Sequence, residues 1–206
     1  MEEPGASAFV RARYRENARF FAREPLWLAM LGFRRLRRIV TARARGRTLE
    51  VAIGSGLNLP FYRKGIDLTG IDLSPDMLSY AAVRARELEV NVTLLEGDAA
   101  ALPFPDASFD TVLETFAGCT FPDPEVAYRE MRRVLRPGGQ LLVAEHGRGD
   151  RTLVGRLLDR LAPSFYQHTA CNLNRDPMRL MRSAGWEPQL LHRGVAGVLL
   201  ALRAQR

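Results

Sequence analysis

Two glycines and two carboxylates mark where this chain could do chemistry. Gly54 and Gly56 lie in the run Thr48-Leu49-Glu50-Val51-Ala52-Ile53-Gly54-Ser55-Gly56-Leu57-Asn58, in which a short apolar stretch breaks into a turn. Glycine takes positive φ without steric cost and lets backbone pass close to a ligand. A second run, Asp67-Leu68-Thr69-Gly70-Ile71-Asp72, ends in an acid roughly 20 residues beyond the glycines, where a carboxylate meets ribose hydroxyls in nucleotide-type sites. A third run ends at Glu96 and is followed almost at once by Asp98. The glycine turn and the first acid suit a dinucleotide or an adenosyl sulfonium alike. Plainer roles compete: Asp98 could cap a helix, and Leu73 and Met77 could be ordinary core.

The elements that hold these residues follow from period and punctuation. Strands are expected at about Thr48–Ile53, Asp67–Asp72, Asn91–Glu96, Ser108–Thr115 and Gln140–His146. Helices should lie between them at about Leu57–Arg63, Asp76–Leu88 and Asp123–Leu135. Ser74 caps the second of these, with Pro75 at its first position. Such alternation implies a parallel, doubly wound α/β sheet. Ligands of such sheets sit beyond the carboxyl ends of the strands, so the loop Phe116-Ala117-Gly118-Cys119-Thr120-Phe121 and His146 should share the site. The N-terminus of the Leu57–Arg63 helix would favour an anion.

Residues 1–7 read as a loose tail and residues 8–45 as helix in two pieces, broken at Pro25. Their apolar face carries Phe9, Tyr14, Phe20, Trp27, Phe33 and Leu36 against a basic face of Arg34, Arg35, Arg37 and Arg38. Asp150–Leu161 reads as a further helix, and residues 163–175 as a loop leading into a helix capped by Asn174. Glu187–His192 and Val195–Arg203 look like a closing hairpin.

Four motifs occur in order between Thr48 and His146: Glu-x-Ala-x-Gly-x-Gly, Gly-Ile-Asp-Leu-Ser-Pro-Asp-Met-Leu, Gly-Asp-Ala-x-x-Leu-Pro-Phe-x-Asp-x-Ser-Phe-Asp and Val-Leu-Arg-Pro-Gly-Gly. Together they resemble the class I S-adenosylmethionine (SAM)-dependent methyltransferases, and within them the methyltransferase type 11 branch of ubiquinone and menaquinone biosynthesis. One departure is Ala52, where the first glycine usually stands. The resemblance implies a Rossmann-like, seven-stranded sheet, mostly parallel with an antiparallel last strand. It implies an N-terminal helical lid over residues 1–45, on a SAM-binding domain of residues 46–206. SAM would be the cofactor and S-adenosyl-L-homocysteine the product. Carried over by position, the SAM-binding set is Glu50, Ala52, Gly54, Gly56, Asn58, Asp72, Leu73, Met77, Asp98, Ala99, Thr115 and Tyr14. Leu73 and Met77 would touch adenine and ribose, Asp98 the adenine amino group, and Tyr14 the methionine end. Phe116, Cys119, Phe165, His168 and Asn172 would line the acceptor pocket. Cys119, the Glu145-His146 strand end and Cys171-Asn172-Leu173-x-Arg175 are together similar to the animal methyltransferase-like thiol methyltransferases.

The 206 residues suffice for one domain core, and 47% hydrophobic with 26% charged is a globular composition. A net charge of +7 invites a nucleic-acid or anionic-membrane reading. Lys64 is the only lysine, however, and the arginines are spread over the whole chain, so nucleic acid is not expected as a partner. Two isolated cysteines provide neither a disulfide framework nor zinc spacing, and no metal is expected. Acidic first residues and the lack of a spanning apolar run point to the cytoplasm.

The function expected is SAM-dependent methyl transfer to a small, largely apolar acceptor: a thiol, a quinol or phenol, or an amine. His146 is the general-base candidate, because it ends a strand and titrates near neutrality; His168 is a second, and the cysteines read as small fillers. The alternative is a phospholipid N-methyltransferase working at the membrane surface through the basic, aromatic segment 8–45. A SAM-binding module without catalysis also stays open, while the glycine spacing and the acid after the third strand disfavour an NAD dehydrogenase. Nothing in the sequence fixes an oligomeric state.

Overall fold

Short runs rich in Val, Leu and Thr, each closed by a turn, pair into one sheet. The computed structural model describes residues 5–23, 25–149 and 152–206. In chain order its elements are α1 (Ala6–Glu16), α2 (Ala18–Phe21), α3 (Leu26–Leu31), α4 (Phe33–Thr41), β1 (Arg47–Val51), β2 (Asp67–Asp72), α5 (Pro75–Glu87) and β3 (Thr93–Glu96). There follow β4 (Phe109–Thr115), α6 (Pro124–Val134), β5 (Leu135–His146), α7 (Thr152–Thr169), α8 (Pro177–Ser183), β6 (Gln189–Gly194) and β7 (Leu199–Gln205).

The strand order is β3-β2-β1-β4-β5-β7-β6. Pairings among β1 to β5 are parallel, and β7 runs antiparallel to both β5 and β6. This is the mostly parallel, Rossmann-like sheet with an antiparallel last strand that the sequence implied. The order reverses between β1 and β4, which opens a crevice at their carboxyl ends.

Period-two alternation puts apolar side chains on both faces of the central strands, as a doubly covered sheet requires. Leu141 and Val143 of β5 join Leu49, Val112, Met131 of α6, Met181 of α8 and Trp186 on one face. Leu142 and Ala144 join Leu113, Leu199 and Ala201 on the other, under Leu36 and Val40 of α4. Trp186 is fully buried, and its indole N–H donates to the Tyr128 carbonyl at 3.0 Å.

Several sequence expectations are corrected. The N-terminal segment forms four helices rather than two, because chain breaks at Asn17 and at Gly32 (φ 107°) add to the one at Pro25. Helix α1 starts at Ala6, inside the expected tail, of which residues 1–4 lie outside the described residues. Leu57–Arg63 is not a helix: only a 3-10 turn, Leu59–Phe61, forms there, and it includes Pro60. Helix α7 passes through Pro163 to Thr169, so 163–169 is helix and not loop. Tertiary contacts with α1 hold that second half: Tyr166 packs on Phe9 (5.3 Å between ring centroids), and Asn17 Nδ2 donates to the His168 carbonyl at 3.1 Å. Asp150, taken above as the start of this helix, lies outside the described residues. The cap of α8 is Asp176, whose carboxylate accepts from Arg179 N–H, while Asn174 donates to Asp159 instead. Ser74 does cap α5, accepting from Met77 N–H, with Pro75 at the first turn.

Candidate functional site

The turn after β1 is where sequence and geometry first meet. Ala52 takes φ 54°, Gly54 φ 57° and Gly56 φ 74°, so the chain coils through the left-handed region three times in five residues. The Gly54 N–H donates to Asp72 Oδ2 at 2.7 Å, and Ser74 N–H to Asp72 Oδ1 at 2.9 Å. Asp72 thus pins the turn from the end of the neighbouring strand. Burial pushes its carboxyl up to about 6, against the backbone N–H groups of Ser74, Gly54 and Leu73 that hold it down. A Cβ on Gly56 would lie 2.7 Å from Leu59, so that position accepts only glycine without rearrangement.

Behind the turn, Asn58 Nδ2 donates to Glu50 Oε1 (2.7 Å) and Thr115 Oγ1 (2.9 Å), and the Tyr62 hydroxyl donates to Glu50 Oε2 (2.7 Å). Arg37 of α4 reaches into this network, donating to Thr115 Oγ1 at 2.7 Å and Asn58 Oδ1 at 3.2 Å while lying 4.8 Å over the Phe116 ring. Burial raises Glu50 to about 7, although Tyr62, Asn58 and Arg37 all favour its ionised form.

These parts border a cavity of about 680 Å³ at the carboxyl ends of β1, β2, β4 and β5. That is a typical volume for a small-molecule site. Of the residues anticipated from sequence, Ala52, Gly54, Asp72, Leu73, Met77, Asp98, Ala99, Thr115, Tyr14, Phe116, Cys119, Phe165 and His146 line it. Glu50 and Asn58 stand behind the wall as its support, and Gly56 shapes the turn. His168 is exposed on α7 and bonds the Ser164 carbonyl. Asn172 is also outside the lining, and its backbone N–H and Nδ2 both donate to the Cys119 carbonyl, at 3.0 and 3.1 Å.

Sequence reasoning assigned Arg37 to the solvent face. It belongs to the i, i+3, i+4, i+7 stripe Phe33, Leu36, Arg37, Val40, and that spacing is the signal that could have found it. In the absence of a helix at 57–63, guanidinium groups bring positive charge to the cavity wall, that of Arg37 beside Thr115 and Asn58.

The far wall comes from the loop after β4. Glu114 Oε1 accepts from Ala117 and Gly118 N–H, at 2.7 and 2.9 Å, and fixes its turn. Burial raises the carboxyls of both Glu114 and its neighbour Glu145 inside the sheet. Phe116 (φ 55°) stacks on Phe33 at 4.5 Å. Cys119, His146 and Cys171 converge, with His146 Nε2 3.1 Å from Cys171 Sγ. Residues of the N-terminal helices also line the cavity: Tyr14 stacks on Phe21 at 4.8 Å, and Ser7 Oγ of α1 donates to Asp98 Oδ2 at 3.0 Å. Arg84 of α5 clamps this layer down, donating to the carbonyls of Ala22 and Ser55.

Fold and site together define a doubly wound α/β protein with a cavity at its topological switch point, and comparison with known proteins narrows the class. A family profile described as a methyltransferase domain matches residues 49–143. The ubiquinone/menaquinone biosynthesis C-methyltransferase of Azotobacter vinelandii is 30% identical over 178 residues, covering 74% of this chain and 70% of that protein. A phosphatidylethanolamine N-methyltransferase of Cereibacter sphaeroides is 42% identical over 135 residues, covering 63% and 66%. A solved SAM-dependent methyltransferase from Thermotoga maritima shares the fold, with TM-score 0.70, 24% identity and 97% and 99% coverage. The chain belongs to the class I SAM-dependent methyltransferase family, in its ubiquinone/menaquinone-biosynthesis-like branch. It spans 66%, 46% and 63% of the length of three of the curated relatives it matches.

Proposed function

We propose that this protein transfers the methyl group of SAM to a small, largely apolar acceptor: a thiol, a quinol or phenol, or an amine. The observation that carries the reading is one cavity with two unlike ends. Asp72, Asp98 and the left-handed turn of residues 52–56 sit at one end, and Phe116, Cys119, His146 and Phe165 at the other. The residues present fit the cofactor. Asp72 keeps lone pairs for ribose hydroxyls, Leu73 and Met77 offer apolar surface to the base, Asp98 and Ala99 meet its edge, and Arg37 answers a carboxylate. SAM, when bound, supplies a methyl group already activated on a sulfonium. The chain's own task is then to hold the acceptor in line and exclude water, and such positioning is worth about 7–11 kcal/mol. In the metal-free chain His146 can take the acceptor's proton. We read residues 1–45 as the cap, with α4 anchored on the sheet and α1 to α3 over the mouth.

A thermal melt with SAM tests the binding half. At a hundredfold excess over Kd the ligand adds about 2.7 kcal/mol, which raises Tm by roughly 5–10 °C in a chain of this size. An unmoved Tm at saturating SAM would count against the proposal, and mass-spectrometric methyl transfer to a panel of thiols, phenols and amines would decide the acceptor.

A second reading, phospholipid N-methylation at a membrane surface, is favoured by one observation. Leu26, Trp27 and Met30 of α3 are 76%, 58% and 80% exposed beside the cavity mouth, among the arginines of α4. No helix among the described residues is long and apolar enough to cross a membrane; this reading takes the contact as peripheral, through α3 and the basic face of α4. Flotation with anionic liposomes, reversed by salt, is its expected result.

A further inference from the structure

The motif Cys171-Asn172-Leu173-x-Arg175 has so far explained nothing about chemistry. In the fold it serves to bring one cysteine against another. Asn172 grips the Cys119 carbonyl twice, and Arg175 donates to the carbonyls of Gly118 and Phe121 at 2.7 and 2.8 Å. The loop after α7 and the loop after β4 are thereby tied together, and His146 enters between them from the end of β5. One ligating atom from each of Cys119, His146 and Cys171 lies within 4.8 Å of the others. Both cysteines are buried, and all three side chains line the cavity.

We propose that Cys119, His146 and Cys171 bind one thiophilic divalent cation, Zn2+ by donor type, whose open fourth position holds a thiol acceptor as its thiolate. Two thiolates and one neutral imidazole offset the ion's charge, and sulfur donors select zinc over magnesium or calcium. Bond lengths of about 2.3 Å to sulfur and 2.0–2.1 Å to nitrogen put tetrahedral donors roughly 3.3–3.8 Å apart. The widest pair therefore needs to close by about 1 Å, while His146 Nε2 and Cys171 Sγ, 3.1 Å apart, need to open by about 0.5 Å. Two cysteines and one histidine with the fourth position turned to a cavity is the pattern of a reactive zinc site, whereas structural sites use four protein ligands. Binding releases the two cysteine protons to solvent. A thiol entering the fourth position releases its own and stays as thiolate, the form that acts as nucleophile. The assignment of that thiol as methyl acceptor rests on the function proposed above; the metal site does not.

The test uses the full chain, reduced and stripped of metal by a chelator. Titration with Co2+ is expected to give one equivalent per chain, with a thiolate-to-cobalt charge-transfer band and the visible bands of a tetrahedral ion. Zn2+ should displace it. Cys119→Ser, Cys171→Ser and His146→Ala, each checked for folding by circular dichroism, should weaken uptake by more than about 100-fold, the loss that even outer-shell partners can cause. Should a variant not fold, the wild-type chain still decides: stoichiometric Zn2+ must protect both cysteines from alkylation, as read by mass spectrometry. Adding a small alkyl thiol should shift the charge-transfer band. Failure to take up Co2+ or Zn2+, uptake unchanged in a cysteine variant, or cysteines alkylated equally with and without Zn2+ would overturn the site. A band indifferent to added thiol would overturn its acceptor role. SAM binding measured by calorimetry on the same sample separates the two claims: SAM bound without metal sinks this inference alone, and metal bound without SAM sinks the cofactor reading alone.

Discussion

Single residues set the terms of this site, and two of them make predictions. Ala52 occupies φ 54°, a conformation that costs an L-residue roughly 1–2 kcal/mol. Glycine relieves that strain but loses about 0.5–1 kcal/mol through the freedom of its unfolded chain. Ala52→Gly should therefore be neutral to about 1 kcal/mol stabilising in denaturant unfolding, and a clear loss of stability would show that the methyl group packs. Glu50 is the second case. Burial raises its carboxyl from the ordinary 4.5 to about 7, so the folded state keeps a proton that the unfolded chain releases as pH climbs through that window. Its contribution to stability is accordingly best at low pH and is lost as pH rises. Glu50→Gln keeps a partner for Tyr62 and Asn58 without the charge. Its stability advantage over wild type should grow from near zero at pH 4.5 to a plateau above pH 7, on the order of 3 kcal/mol. A pH-independent difference would contradict the assignment. The acids and glycines that carry this site were legible because backbone geometry and hydrogen bonding fix their type. Arg37 was not, since a run of arginines hides which one faces inward. The meeting of Cys119, His146 and Cys171 was not either, because 25 residues separate even the last two.

At the scale of elements, the strands and the mostly parallel character of their sheet could be read, but connections that depend on tertiary contact could not. Proline correctly broke the chain at Pro25 yet failed to break α7 at Pro163, where packing on α1 outweighs one lost hydrogen bond. The Leu57–Arg63 stretch had helix-like apolar spacing, but Asn58 and Tyr62 are drawn into bonds with Glu50, and only a 3-10 turn survives between them. Helix α4 belongs to the core: Leu36 is buried against β4, β5 and β7, and Leu36→Ala should cost about 2–5 kcal/mol in equilibrium unfolding. A cost near zero would mean that α4 is a detachable flap. Arg84 links α5 to the layer above it. Arg84→Ala should destabilise by about 1.5–3 kcal/mol, the range for hydrogen bonds to a charged group. Amides of residues 18–23 should then exchange faster in hydrogen exchange, while those of β4 stay protected; uniform acceleration would argue against a local clamp.

For the whole molecule, the sheet and the helices before β1 together build the cavity. The strand order places a polar, backbone-rich end and an apolar, thiol-bearing end within one cavity, which residues of the helices before β1 also line. The same helices leave Leu26 and Met30 in solvent, so a chain with an internal cavity also presents apolar surface externally. Everything in this account depends on that cavity accepting an adenosyl sulfonium at its polar end. Isothermal titration calorimetry of the full chain tests this most directly. The account predicts saturable binding of SAM and of S-adenosyl-L-homocysteine, near one per chain, with NADH giving no heat of binding. Uptake of NADH alongside indifference to both adenosyl compounds would contradict it.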